Sequence, residues 1–212
     1  IRKHPTDARM YRHRGHRYIT IREFDRAIED YEIAATLIKG AEDKIEPDGA
    51  PNPLGIPVTS THGNIYYHLG LAYYLKHDFE NSLRVYRMGR DIDLNDDNTA
   101  STTHWIYMNL RRLGRGDEAK AALDHISADM NIIEVHNYHK LDMFYKGEVP
   151  EEEVLSADPN IPAGASITYG VANWFLYNGE EEKAYNLMEK FINTNSWGSF
   201  GFIAAEVDLK TR

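Results

Sequence analysis

The chain has 212 residues, 42% of them hydrophobic, and its 33 acidic and 24 basic residues give a formal net charge of -9. The absence of cysteine excludes disulfides, thiol chemistry and cysteine-ligated zinc sites, and the negative charge argues against a surface for duplex nucleic acid. No apolar run approaches the ~20 residues of a membrane span. We therefore expect a soluble protein, cytoplasmic or exported, and a start at Ile1 suggests that an upstream segment is missing.

Two stretches near the start share one spacing of aromatic and small residues. The first stretch is Tyr11, Gly15, Tyr18, Phe24, Ala27 and Tyr31, and the second is Tyr66, Gly70, Tyr73, Phe79, Ser82 and Tyr86. Positions i, i+4 and i+7 lie on one face of a helix, where the aromatics at i and i+7 form an apolar stripe and the small residue at i+4 lets a second helix approach closely. We predict helix hairpins at 8–40 and 63–96. Their spacing resembles the tetratricopeptide repeat (TPR), which implies a solenoid of antiparallel helix pairs.

A segment rich in proline and glycine, 40–61, separates these two hairpins. Gly15 and Gly70 are 55 residues apart, whereas the TPR period is about 34. Proline and glycine at this density build turns rather than helix. Long ordered loops are often functional, so the insertion is either a tolerated extra segment or part of a site.

Three looser hairpins follow, at 100–130, 133–157 and 165–195. Each has a glycine-containing turn, with Gly114, Gly147 and Gly179 at the expected C-terminal end of a first helix. The second helix of the first of these is predicted to include Ile126. A last helix is predicted at 198–211, as the cap that covers the exposed end of a solenoid. The prediction is one all-α domain over 1–212, a right-handed α-solenoid of about five TPR-like hairpins with a C-terminal capping helix.

Longer phrases resemble an uncharacterised family of bacterial TPR proteins. They include Gly15-His-Arg-Tyr-Ile-Thr, Glu46-Pro-Asp-Gly with Pro51-Asn52, Tyr67-His-Leu-Gly-Leu-Ala-Tyr-Tyr-Leu75, Leu110-Arg-Arg-Leu-Gly-Arg115, Tyr169-Gly-Val-Ala-Asn-Trp174 and Phe200-Gly-Phe-Ile-Ala-Ala-Glu206. The phrases run along almost the whole chain. The resemblance implies the fold and brings no reaction and no set of functional residues.

In a TPR array the first helix of each hairpin lines the concave face, so repeat positions predict which side chains point inward. The candidate ligand-binding residues are Arg9, Arg12, His16, Asn64, Tyr67, His68, Tyr74, His104, Met108, Arg111, Tyr169 and Asn173. Arginine grips carboxylates in a bidentate way, and tyrosine adds rigid contact area. We predict a non-catalytic module that binds a protein or peptide in its groove, with an acidic segment or a C-terminal carboxylate as the natural partner. Ordinary packing between helices is the other explanation for the tyrosines.

Some TPR domains hold a carboxylate with a set of basic and asparagine side chains on these helices. Arg12 and Asn64 match that resemblance, but His16 and His68 stand where it would have asparagine. That activity is not predicted.

A second hypothesis is a small-ligand or metal-binding helical protein, which could be an enzyme, in which the 46–55 loop closes over a pocket near Tyr67, His68 and Trp174. No cofactor and no catalytic residue are predicted. His136 and His139 are three residues apart but lack the H-E-x-x-H signature of a zinc site.

An acidic run at 91–98 looks like a calcium loop. It lacks glycine at its sixth position, where Asp96 stands, and glutamate at its twelfth, where Thr102 stands. It is therefore predicted to be a turn between hairpins.

The N-terminal segment is basic, with eight Arg or Lys residues against three acidic residues over 1–27. Acidic runs occur later, at 151–153 and 180–182. A third hypothesis is that this basic unit pairs with an acidic surface of a second copy, which would make a salt-sensitive homo-oligomer.

Overall fold

The computed structural model describes residues 1–46, 52, 54–92 and 95–212. Within these ranges the chain forms eleven α-helices. They are α1 Ala8–Thr20, α2 Phe24–Leu37, α3 Thr61–Leu75, α4 Phe79–Arg90, α5 Asp96–Arg112, α6 Gly116–Ala122, α7 His136–Tyr145, α8 Glu151–Leu155, α9 Pro162–Tyr177, α10 Glu181–Phe191 and α11 Phe200–Lys210. The predicted all-α repeat fold is confirmed. No helix in the described ranges has the length and apolar character needed to cross a membrane.

Short polar side chains begin many of these helices. Asp7, Ser60, Asp78, Asn95 and Ser199 each accept a hydrogen bond from a backbone N–H in the first turn of the helix that follows. These bonds satisfy donors that have no partner inside the helix. The starts of these five helices are therefore fixed by local sequence.

Glycine sets the distance between the two helices of a hairpin. A Cβ added to Gly15 would lie 2.7 Å from the ring of Tyr31, and one added to Gly70 would lie 2.6 Å from the ring of Tyr86. Both tyrosines are fully buried. In each hairpin the tyrosine ring of the second helix therefore packs where a side chain of the first helix would otherwise lie. This close packing is the reason for the glycine in the spacing that predicts the hairpins.

The third hairpin differs from its prediction. α6 ends at Ala122, a single 3-10 turn follows, and Ile126 is in extended backbone rather than helix. Ile126 is buried, and its carbonyl accepts a hydrogen bond of 2.6 Å from Lys146 Nζ at the end of α7. The helix ends early because extended backbone places the Ile126 side chain in the core. The same conformation brings the Ile126 carbonyl within hydrogen-bonding distance of Lys146.

The last helix does more than cover the end of the array. α11 packs against α9 and α10, as a cap would, and also contacts α3 near the start of the chain. Its Phe200 ring lies 5.5 Å from the ring of His16 on α1. α11 therefore crosses the inner face of the array, which the sequence did not predict.

We predict that Gly70→Ala destabilises the protein by about 1–3 kcal/mol, because the new methyl group overpacks against Tyr86. Thermal or urea unfolding measures this loss. Gly116→Ala is the matched control, since a Cβ at Gly116 meets nothing within 4 Å, and it should change stability by less than about 1 kcal/mol. Equal stability of the two variants would show that the close contact is not what holds the hairpin.

Candidate functional site

The insertion is pinned to the inner face by one carboxylate. Glu46 lies 2.6 Å from Arg12 Nη2 and 3.3 Å from Arg9 Nε, and it accepts hydrogen bonds from Asn64 Nδ2 at 2.8 Å and Thr61 Oγ1 at 3.2 Å. Glu46 and Arg12 are both buried. The donors that would hold a partner's carboxylate are therefore occupied by a carboxylate of the chain itself.

Other N-terminal arginines also pair within the chain. Arg14 makes two hydrogen bonds of 2.6 Å to the carboxylate of Asp30, and this hydrogen bonding raises the pKa of Arg14 above its ordinary value. Arg26 donates to the hydroxyl of Tyr18 at 2.7 Å. Part of the basic charge of residues 1–27 is therefore paired within the chain, and the salt-sensitive homo-oligomer stays a prediction.

α11 is held by a buried carboxylate near its C-terminal end. Asp208 pairs with the guanidinium of Arg112, accepts a hydrogen bond of 2.9 Å from the hydroxyl of Tyr169, and lies 3.0 Å from His77 Nε2. Burial alone would raise the pKa of Asp208, but the bond to His77, the charge of Arg112 and the Tyr169 hydroxyl outweigh it and lower the pKa. A charged carboxylate is thus stable in the interior.

Two turn residues that contact α11 have an unusual backbone conformation. Arg22 and His77 have φ of 65° and 57°, while the equivalent turns after α5, α7 and α9 have glycine in the same left-handed region. A side chain there costs roughly 1 kcal/mol relative to glycine. Arg22 lies 2.7 Å from Glu206 on α11 and donates to the carbonyl of Trp197 at 2.8 Å. The turns of the first two hairpins therefore carry side chains that anchor α11, at a cost in backbone strain.

His16 and His68 face the beginning of α11. The ring of Phe200 lies 5.5 Å from His16 and 5.4 Å from His68, and the two histidine rings are 5.3 Å apart. Burial lowers the pKa of His16 and lowers that of His68 to about 3. Both are neutral packing partners of Phe200 at pH 7.

Several predicted site residues lie in the interior. Tyr74, Met108 and Asn173 have exposures of 1%, 0% and 0%. The hydroxyls of Tyr74 and Tyr169 are 3.0 Å apart, and Asn173 accepts a hydrogen bond of 2.7 Å from Arg112 Nε. Tyr74, Tyr169 and Asn173 support the carboxylate of α11 through these bonds, while Met108 is simply part of the core.

Two further candidates on α5, His104 and Arg111, have different surroundings. His104 is buried, with its ring centroid 4.8 Å from that of Tyr138, and burial lowers the pKa of His104 to about 3. Arg111 lies at the end of α5, where it donates to the carbonyl of Tyr177 at 3.2 Å and to Asn178 Oδ1 at 2.6 Å.

The inner face that α11 leaves open contains a cavity of about 200 Å³. The N-terminal ends of α3, α5 and α7 surround it, with the end of α4 and the returning strand-like part of the insertion beside them. That part is held by an antiparallel bridge between Ile45 and Ser60, and Asn95 Nδ2 donates to the carbonyl of Val58 at 2.8 Å. Among the sequence candidates, Asn64, Tyr67 and His68 line this cavity.

The aromatic wall of the cavity is fixed by hydrogen bonds. The hydroxyl of Tyr67 lies 2.7 Å from that of Tyr138 and accepts a hydrogen bond of 3.0 Å from Trp105 Nε1. Burial raises the pKa of Tyr67 well above its ordinary value and also raises the pKa of Tyr138. The wall is therefore neutral and rigid.

The charge of the cavity is negative. Asp97 and Glu134 line it, and the lining residues in the described part of the chain include neither lysine nor arginine. Asp97 is buried and accepts the backbone N–H groups of residues 133–135. Glu134 is the exposed acid at the edge; its partial burial raises its pKa, and a hydrogen bond from Asn52 of the insertion opposes the rise.

The loop of the second hypothesis can be followed only in part, because residues 47–51 and 53 lie outside the described residues, as do 93–94 of the acidic turn. Trp174 packs on Phe144 and Phe175 and does not line the cavity. His139 Nε2 lies 2.8 Å from the carbonyl of Ser127. The described residues contain no group of three metal-ligating side chains that could hold an ion.

Sequence reasoning missed four residues that define these contacts: Arg112, Glu134, Tyr138 and Asp208. Glu134 stands one residue after the predicted start of the fourth hairpin, as Arg9 and Asn64 do in their own hairpins, so counting repeat positions there would have found Glu134; the same count does not reach Tyr138. Asp208 gave no such signal, because its partners lie on other hairpins.

No family model matches this chain, and no curated protein resembles it closely enough in sequence to be counted as a relative. Two solved structures of a candidate kinesin light chain of Podosopora anserina, with nearly identical TPR-like repeats, are similar to it. A substituted form has 13% sequence identity over 99% of this chain and 99% of that chain, with a TM-score of 0.49. The other has 13% identity over 99% and 98%, with a TM-score of 0.47. The helical-repeat fold is assigned from the helix hairpins of this chain and does not rest on these two similarities.

We predict that stability falls as the pH drops below about 6.5. His68 and His104 have a folded pKa of about 3, so below pH 6.5 the unfolded chain binds protons that the folded chain does not. The loss continues to about pH 3 and reaches roughly 1.4 kcal/mol for each histidine at pH 5.5. Urea unfolding at pH 7.5 and 5.5 measures it.

His104→Gln should reduce this pH-dependent loss by roughly 1.4 kcal/mol at pH 5.5, whatever its effect on stability at pH 7.5. Replacement of the exposed His125 by Gln is the control and should leave the loss unchanged. An unaltered loss in His104→Gln would contradict the assignment of His104 as a buried neutral group.

Proposed function

We propose that the protein is a non-catalytic interaction module that binds an extended segment of a partner on the open part of its inner face. One side chain of that segment enters the cavity between α3, α5 and α7. The observation that carries the proposal is the lining of this cavity, where an aromatic wall stands beside acidic side chains.

The size of the cavity supports a peptide rather than a free small molecule. Its volume of about 200 Å³ is below the ~300–1,000 Å³ of typical ligand pockets. It suits a single amino-acid side chain, with the rest of the segment lying along the surface. This favours the interaction module over the small-ligand hypothesis.

The chemistry of the lining favours a cationic side chain. Tyr67 and Tyr138 offer aromatic surface, and Glu134 offers a carboxylate at the edge. A lysine or arginine gains from both features through cation–π contact and ion pairing. The acidic partner expected from Arg9 and Arg12 fits this place poorly, because both side chains already pair with Glu46.

α11 limits how much of a partner can lie on the inner face. It reaches the C-terminal ends of α3 and α5 through His77 and Arg112, where Tyr74 and Asn173 are buried. The bound segment is therefore short and lies across the N-terminal ends of α3, α5 and α7, next to the insertion.

A displayed random-peptide library tests the proposal. Selected peptides should carry a lysine or arginine, and replacing that residue by glutamate in a synthetic peptide should weaken binding by about tenfold or more. Glu134→Lys should weaken binding of the cationic peptide, because it reverses the charge at the cavity edge. Ser101→Leu should weaken it by filling the cavity that Ser101 lines.

Glu152→Lys, the same charge change at an exposed position on α8, is the matched control and should bind like the unchanged protein. Circular dichroism establishes that each variant is folded. Selection of no peptide, or unchanged binding by both Ser101→Leu and Glu134→Lys, would refute the proposed site.

A further inference from the structure

A second cavity, of about 340 Å³, opens between α6 and the C-terminal end of α7. Both helices pack on α5, and Tyr107 of α5 and Tyr145 of α7 line it with rings stacked 4.2 Å apart. α6 has seven residues beside the seventeen of α5. The cavity therefore lies beside the C-terminal half of α5, between the short α6 and the end of α7.

The lining of this cavity is cationic in a protein whose net charge is -9. Arg111, Lys120 and Lys146 line it, and Asp124 is the one acid among the lining residues in the described part of the chain. The three cations come from α5, α6 and the end of α7, so folding brings them together from separate elements. This charge is opposite to that of the cavity bounded by α3, α5 and α7.

Two of the cations are held in place by the chain. Arg111 donates to the hydroxyl of Tyr107 at 3.0 Å and to Tyr177 and Asn178 on the far side. Lys146 Nζ donates to the carbonyl of Ile126 at 2.6 Å and lies 3.1 Å from Glu148. Both are therefore oriented before any ligand arrives, which reduces the entropy lost on binding.

The donors that remain are few. Arginine has five N–H groups and lysine has three, so the bonds above leave two on Arg111 and one on Lys146. Lys120 is exposed and has no partner among the residues that the structure describes. This small number of donors suits a singly charged carboxylate better than a phosphate, which carries more charge and needs more donors.

We infer that the cavity between α6 and α7 binds a carboxylate side chain of an acidic polypeptide segment. Arg111 and Lys146 hold the carboxylate, and Lys120 closes over it from the solvent side. The inference concerns another surface and does not rest on the proposed function.

Fluorescence anisotropy with two labelled decapeptides tests the inference. One alternates glutamate with glycine, and the other has glutamine in place of glutamate. The full chain should bind the glutamate peptide about tenfold or more tightly than the glutamine peptide. The double variant Lys120→Glu with Lys146→Glu should lose that preference. Lys120→Glu alone should weaken binding of the glutamate peptide severalfold, and it leaves the hydrogen bond between Lys146 and Ile126 intact.

The matched control combines Lys39→Glu and Lys210→Glu, which changes the net charge equally at exposed sites outside the cavity. It should bind the glutamate peptide within about twofold of the unchanged protein. Equal binding of the two peptides, no binding of either, or the same loss in the control would overturn the inference. Displacement of the peptide by inorganic phosphate at constant ionic strength would overturn the choice of a carboxylate.

Discussion

The carboxylate of Asp208 is buried on α11 and paired with the guanidinium of Arg112 on α5. Removing two charges from water costs several kcal/mol each, and the interior recovers this cost only when every charged group keeps good partners. Tyr169 and His77 supply the remaining contacts. Any movement of α11 away from the inner face would leave Arg112 buried without its counter-charge. This one interaction therefore holds the last helix across the array. It divides the inner face into a part that α11 covers and a part that stays open.

That division explains why the candidate residues have unlike roles. α11 meets the C-terminal ends of α3 and α5 at His77 and Arg112, and Tyr74, Tyr169 and Asn173 become parts of an internal polar network. The N-terminal ends stay open and, together with the insertion held by Glu46, surround a small acidic cavity. The strained turn residues Arg22 and His77 belong to the same arrangement, because each replaces the glycine of the later turns with a side chain that reaches α11.

The hairpins could be predicted because their determinants are local. Gly15 with Tyr31, and Gly70 with Tyr86, lie within one repeat, and the 3.6-residue period shows which face each occupies. The same counting placed candidate residues on the first helices but could not show what faces them. Arg112 and Asp208 are 96 residues apart, and Arg12 and Glu46 are 34 apart. Sequence position alone does not reveal that an inward-facing arginine is already paired with a distant acid of the same chain.

Native-state hydrogen exchange of the α11 backbone amides tests most directly whether this helix is a permanent part of the fold. The account predicts that the amides of Ile203, Ala204 and Ala205 exchange only through global unfolding, as slowly as buried amides of α9 and with the same dependence on denaturant. If these α11 amides instead exchange orders of magnitude faster than those of α9, through an opening that leaves α9 protected, the helix is a detachable occupant and the account is wrong.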